Sequence, residues 1–282
     1  MEYLNIVQEH IELALGLTNA LFISLAPLYQ ENHGREQEAT VPLFTLLHST
    51  SSNILNLVME RMALHDADVL LRTVMEGTVK YCYLLNGTPE ERYRKYEEYR
   101  FMLHDFEQLS DHNKARETLE IFKEFSIPHS TLPFEVNILS DEQLKKINAK
   151  YSKKEKDELK RRWTYQAMLR SLAESKNEYK AQLGTLSTYA STSHYAHFDW
   201  SGLASRLAQL RAAAKEEDVN YDIAHCLRII SNILNFELIR ALEYIQVYGL
   251  KSKDSWHIIQ EISEESNTLD IMVDKLLIDT EI

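Results

Sequence analysis

Glycine and proline are scarce in this chain of 282 residues, at seven and five. So few helix breakers leave little room for the many tight turns of a sheet protein and favour long helices. Cysteine is scarcer still. Cys82 and Cys226 both fall inside apolar helical patterns, which fits small buried thiols in a reducing compartment and argues against a disulfide or metal framework. We find no stretch of the roughly 18 apolar residues that a membrane span needs, and no basic segment leading into an apolar run at the N-terminus. A cytoplasmic protein without a membrane partner is the expectation. Positive charge is also short. A net charge of -12 and a pI near 5.4 disfavour broad, non-specific nucleic-acid binding, which rests on Lys and Arg. Gly-rich phosphate loops, Cys-x-x-Cys, His-Glu-x-x-His and Gly-x-Ser-x-Gly are all missing, and no cofactor is expected.

What is present is helical periodicity. Hydrophobic residues make up 44% of the chain, enough for a real core. The fold class is all-α: a single bundle of about ten helices over 1–282, with a basic helical insert at 140–162 and acidic C-terminal helices at 253–282. Leu4, Ile11, Leu15, Phe22 and Leu25 give a first helix over 1–30. Thr40 and Pro42 open a second that runs to about Met62. A third ends at Asn86-Gly87, and Thr88-Pro89-Glu90-Glu91 opens the next with a cap, a proline and two acids. In that helix Tyr93, Tyr96 and Tyr99 recur at three-residue spacing among Arg92, Arg94, Lys95 and Arg100. They form either a packing face or a base-stacking stripe beside a phosphate-binding edge. Residues 126–139, with Pro128 and Pro133, read as a loop. Ser140 to Gln143 and Ser152 to Glu155 are capping boxes opening two polar helices. Between Lys145 and Arg162 nine basic residues stand against three acidic ones, a local charge of +6 that leaves -18 for the remainder. This asymmetry marks a face for RNA or a nucleotide, or else a solvated helix surface.

Helices follow at Trp163–Ser175 and Asn177–Ala190, then a dense polar cluster from Tyr189 to Trp200. Further helices are expected at Ser201–Ala214 and Val219–Tyr248, and an acidic amphipathic pair from Ser255 to Ile282. In the long helix Tyr221, Leu227, Ile230, Leu234, Leu238 and Leu242 mark the core side. The tail is expected to close the core or to contact a second copy, so a homo-oligomer is anticipated.

The chemistry centres on the third helix, where Arg72 and Glu76 stand four residues apart among Leu70, Leu71, Val74, Met75 and Val79. They share a helix face, and charges in so apolar a helix need partners. The polar cluster offers Ser193, His194, His197 and Asp199, with Ser193 and His197 at i, i+4 spacing. Two readings stay open. In one, Arg72 holds a phosphate by two parallel bonds, His197 moves the proton, Glu76 orients that histidine or acts as a base, and Ser193 shares the face, giving metal-free phosphodiester cleavage. In the other, Arg72, Glu76 and His197 form a polar clamp between core helices of a protein-binding module. A metal site from His194, His197, Asp199 and Glu76 lacks tight ligand spacing, and none is expected.

Leu71-Arg72-Thr73-Val74-Met75-Glu76, Tyr81 to Leu85 and the Tyr- and Arg-rich helix from Arg92 come first in an ordered series. Trp163, Met168 with Ala173-Glu174, and Tyr179 follow, and Tyr189, Ser193 and His197 close it. In this order they resemble a bacterial, all-helical domain family of unknown function, across about residues 40–200. A looser similarity is to the HEPN superfamily of helical nucleases and nucleotide-binding proteins of toxin and anti-phage systems. Its usual mark is an Arg, four to six residues, then a His. Here Arg61 to His65 and Arg100 to His104 have only three residues between them, and no Arg precedes His197 at that spacing. The similarity implies a defence- or toxin-type ribonuclease with its site assembled from Arg72 and His197 on separate helices. Tyr81, Trp163, Tyr189 and His194 accompany them as candidate substrate contacts.

Overall fold

The computed structural model describes residues 2–30, 34–60, 63–126, 131–197, 199–214, 219–249 and 253–280. Arg61, Met62, Pro128 and Phe198 lie outside them, as does the side chain of Leu4. Among the described residues the chain is all-α, with no strand. In order it forms α1 (Glu2–Gln30), α2 (Gln37–Leu57), α3 (Leu64–Leu85), α4 (Pro89–Glu97), α5 (His104–Glu124), α6 (Leu132–Glu135), α7 (Asp141–Lys150), α8 (Lys153–Arg162) and α9 (Tyr165–Ser175). These are followed by α10 (Thr185–His197), α11 (Trp200–Ala214), α12 (Val219–Tyr248) and α13 (Lys253–Thr280). A π-helical turn, Glu98–Leu103, joins α4 to α5, and a 3₁₀ segment, Asn177–Gly184, precedes α10.

Several boundaries differ from the sequence expectation. The one-turn α6 sits in the stretch read as loop. The polar cluster from Tyr189 belongs largely to α10 instead of following it, and the C-terminal tail is one helix, not two. Asn5–Pro27 of α1 is long and apolar enough to cross a membrane by length and mean hydropathy, although Glu9 and Glu12 interrupt its apolar residues. Val7, Ile11, Ala14, Leu21 and Leu25 of that stretch are buried in packing.

The chain divides into two compact units, 1–86 with 168–282, and 87–167. In the first, α12 is the central helix and packs on α13, α3, α1 and α2. α2 and α3 approach closely at Gly77, where a β-carbon would collide with Leu47. Leu227, Ile230 and Leu234 of α12 are buried as expected, but Tyr221 and Leu242 are exposed. In their place the core side of α12 carries Glu237, Arg240 and Tyr244, all at most 1% exposed.

Arg240 reaches Glu237 at 2.6 Å, donates to the Thr78 hydroxyl at 2.6 Å and lies over the Phe44 ring. His48 sits 3.4 Å from Glu237 through Nδ1 and bonds Asn19 through Nε2 at 3.2 Å. Burial pushes the Glu237 carboxyl up, but the Arg240 charge and the His48 and Ser51 hydrogen bonds outweigh it and hold it below the ordinary carboxylate value. Four helices therefore meet on one buried polar network. Nearby, Lys176 donates to both Glu243 oxygens at 2.7 and 2.9 Å and to Gln246. Burial, reinforced by the Glu243 charge, pushes the Cys82 thiol up to about 12, so it is a packed, unreactive group.

The second unit is organised on α4, the π turn and α5. Thr88 and Glu91 form the expected capping box with Pro89 at its start. In the widened turn Glu98 is 5% exposed and accepts from Arg162 at 2.9 Å and from the Trp163 indole at 2.9 Å. Tyr99 stacks on Trp163 at 5.5 Å, and Tyr96 is 2% exposed. The tyrosine series is therefore mainly a packing face, with Tyr93 alone of the three exposed. Helices α7 and α8 each open with the expected capping box.

Candidate functional site: a phenol clamp and an apolar cleft

Helix α3 buries Leu71, Val74, Met75 and Thr78, which turns Arg72 and Glu76 to the half-buried edge of its packed face. There they meet Tyr189 of α10. An Arg72 Nη2 hydrogen bond reaches the Tyr189 phenol oxygen at 3.0 Å, and the same hydroxyl donates to Glu76 Oε2 at 3.1 Å. The guanidinium also lies 4.4 Å from the centre of the Tyr189 ring. A phenol has one proton to give and lone pairs to accept with, so a single hydroxyl serves a cation and a carboxylate together. The pair that needed partners has one, and it is Tyr189 instead of His197.

His197 is the last residue of α10 and is exposed. It stands eight residues beyond Tyr189, about 12 Å along the helix axis at 1.5 Å per residue. Ser193, between them, is half-buried. His194 pairs with Asp199 in the turn between α10 and α11. Asp199 also accepts from the Gly202 backbone at 3.1 Å, so it caps α11. The His194 and Gly202 hydrogen bonds hold the exposed Asp199 carboxyl below its ordinary range. Among the described residues no group of three or more His, Cys, Asp or Glu is arranged to hold a metal ion, so His194, His197, Asp199 and Glu76 do not form one. Tyr81 is fully buried in the first unit, its ring 5.7 Å from Phe44. Trp163 belongs to the second unit, on Glu98 and Tyr99.

Beside the clamp, one turn toward the start of α3, opens a cleft of about 550 Å³. Its walls are Val69 and Leu70 from α3, Ala196 from α10, and Leu203, Leu207 and Leu210 from α11. At its rim Arg206 bonds Asp66 through two parallel contacts of 3.0 and 3.2 Å. At the start of α11 Trp200 is 78% exposed, and Leu203 and Leu207 are each more than a third exposed. Sequence reasoning recognised α11 as a helix but gave its apolar side no role. The signal was there in Trp200, Leu203, Leu207 and Leu210, spaced by three, four and three residues. A volume of this size, walled by hydrocarbon with a few polar groups at the edge, is typical of a binding site. The second unit holds sixteen basic and sixteen acidic residues, so the whole excess of twelve negative charges lies in the unit that contains the cleft.

The chain belongs to a family of unknown function, DUF5677, whose sequence pattern it matches over residues 37–213. That span runs from α2 through α11 and includes both the clamp and the cleft. No curated protein and no solved structure matches the chain.

Proposed function

Starting from membership of a family with no assigned activity, we propose that this chain is a non-enzymatic helical binding module. Its cleft between α3 and α11 receives the apolar face of a partner's amphipathic helix. The observation that carries this reading is the phenol of Tyr189, which already engages both charged groups of α3. A guanidinium bonded to a phenol and stacked on its ring is poorly placed to seize a phosphate. It is well placed to fix α10 against α3, and with α10 the α11 wall of the cleft. The helix-in-groove mode suits a site whose walls are leucine and valine. Net negative charge in this unit selects a partner with basic flanks, since opposite charge steers encounter and like charge repels.

Phosphodiester cleavage by Arg72 and His197, in the defence or toxin setting that the HEPN similarity implies, is the weaker alternative. Its support is the exposed His197, whose ring is open to a substrate. The test uses Tyr189→Phe, which deletes one oxygen and keeps the ring. Two half-buried charged groups then lose their shared partner, a loss of about 1–3 kcal/mol in stability. A lower melting temperature is expected. Weaker binding of a labelled synthetic Leu/Lys amphipathic peptide of 18 residues should accompany it, with single-stranded RNA left intact by both proteins. RNA cleavage by the wild type that disappears in His197→Ala, with peptide binding absent, would replace this reading by the enzymatic one.

A further inference from the structure

We infer that α7 and α8 form a docking surface for the phosphate backbone of single-stranded nucleic acid, independent of the cleft. The two helices bury one apolar residue each, Ile147 and Leu159, half-bury Leu144 and Lys156, and expose the rest. The outward set includes Lys145, Lys146, Lys153, Lys160 and Arg161, all exposed. Two further cations are tied down. Lys150 bonds Asp105 at 2.9 Å, and Arg162 bonds the buried Glu98 at 2.9 Å. These bonds fix the end of each helix to the α4–α5 rod, while the five cations named above face solvent. The Tyr151 ring packs edge-on against Phe106 and its hydroxyl donates to Asp105, which holds the turn between the helices.

Nine basic residues against the exposed Asp141, Glu142, Glu155, Asp157 and Glu158 leave these two capped and anchored helices a net charge of +4, a pre-set excess suited to a polyanion. Phe101, 45% exposed, adds a ring on the π turn that α8 touches, with the Arg100 guanidinium 5.5 Å from its centre. The ring meets Tyr96 edge-on at 6.0 Å, which holds it in place while part of it stays open. Phosphate-binding cations with a neighbouring part-exposed ring are the ingredients of single-strand recognition, in which bases stack and lysines follow the backbone. An acidic protein segment would use the cations and ignore the ring. An anionic membrane would call for several large apolar side chains beside the cations, and α7 and α8 offer only the half-buried Leu144 and the small Ala149.

The experiment measures fluorescence anisotropy of a labelled 20-residue oligouridylate against the full chain. Binding is expected at 50 mM NaCl. With about five phosphate contacts on a single strand, affinity should fall about a hundredfold by 200 mM. The triple variant Lys145→Glu, Lys146→Glu, Arg161→Glu should lose at least tenfold at 50 mM with an unchanged helical circular dichroism signal, and Phe101→Ala should lose a few-fold. Leu207→Asp, which probes the cleft, should bind the RNA as the wild type does. If the triple variant proves misfolded, the salt slope of the wild type and Phe101→Ala still decide. No binding at 50 mM, an unaltered triple variant, or equal competition by poly-aspartate or anionic vesicles would overturn the assignment.

Discussion

Arg240→Ala is expected to destabilise the first unit by about 3–5 kcal/mol, because it leaves a buried carboxylate without its cation. For a unit of this size that is a fall of about 10 °C in melting temperature, readable by circular dichroism or calorimetry. The residue is completely buried, and three groups depend on it: Glu237 at 2.6 Å, Thr78 at 2.6 Å and the Phe44 ring. Glu237 in turn faces His48, so the loss spreads to α2 and, through Asn19, to α1. The double replacement Glu237→Met with Arg240→Met separates charge from packing. Removing both ions together, with volume retained, is expected to cost much less than Arg240→Ala alone. If the double variant were as unstable as the sum of the single ones, the network would be a packing element and not a coupled ion pair.

Leu207→Asp is expected to leave the fold intact and to weaken binding of the basic amphipathic peptide by about 2 kcal/mol or more, some thirtyfold. Leu207 lines the cleft yet is 39% exposed, so its replacement places a carboxylate at the site without opening the core. Any apolar side chain entering the cleft would have to desolvate that charge. A peptide of the same length with Glu in place of Lys should bind the wild type more weakly, given the net charge of this unit. Retention of full affinity by Leu207→Asp, with the fold unchanged, would move the binding site elsewhere.

Much of the scaffold was legible in the residues themselves. Thr88-Pro89-Glu90-Glu91, Ser140 to Gln143 and Ser152 to Glu155 open helices as their cap chemistry requires. Asn86-Gly87 ends α3, with Gly87 at positive φ. Arg72 and Glu76 were visible as a pair needing a partner, and α10 as the element supplying it.

Which residue supplied it was hidden. Tyr189, Ser193 and His197 repeat at i, i+4 on one helix, and spacing alone cannot say which turn faces α3. The α12 core was misread for a physical reason. The helical spacing puts Tyr221 and Leu242 on the core side with Leu227, Ile230 and Leu234, whereas Glu237 and Arg240 satisfy each other and occupy the interior, leaving Leu242 partly exposed. Nothing in the residues from Glu98 to Leu103 announces a π turn, since its wider winding is sustained by tertiary partners, here Arg162 and Trp163 on Glu98. The cleft escaped notice because an apolar stripe on a helix predicts burial, and α11 leaves part of its stripe uncovered.

The central claim is that the cleft between α3 and α11 is the site at which this module engages its partner. Amide hydrogen exchange with and without the basic amphipathic peptide tests it most directly. Slower exchange is predicted over 64–72 and 196–210, with α5 and α13 unchanged and the effect abolished in Leu207→Asp. Protection confined to other helices, or equal protection in the variant, would contradict it.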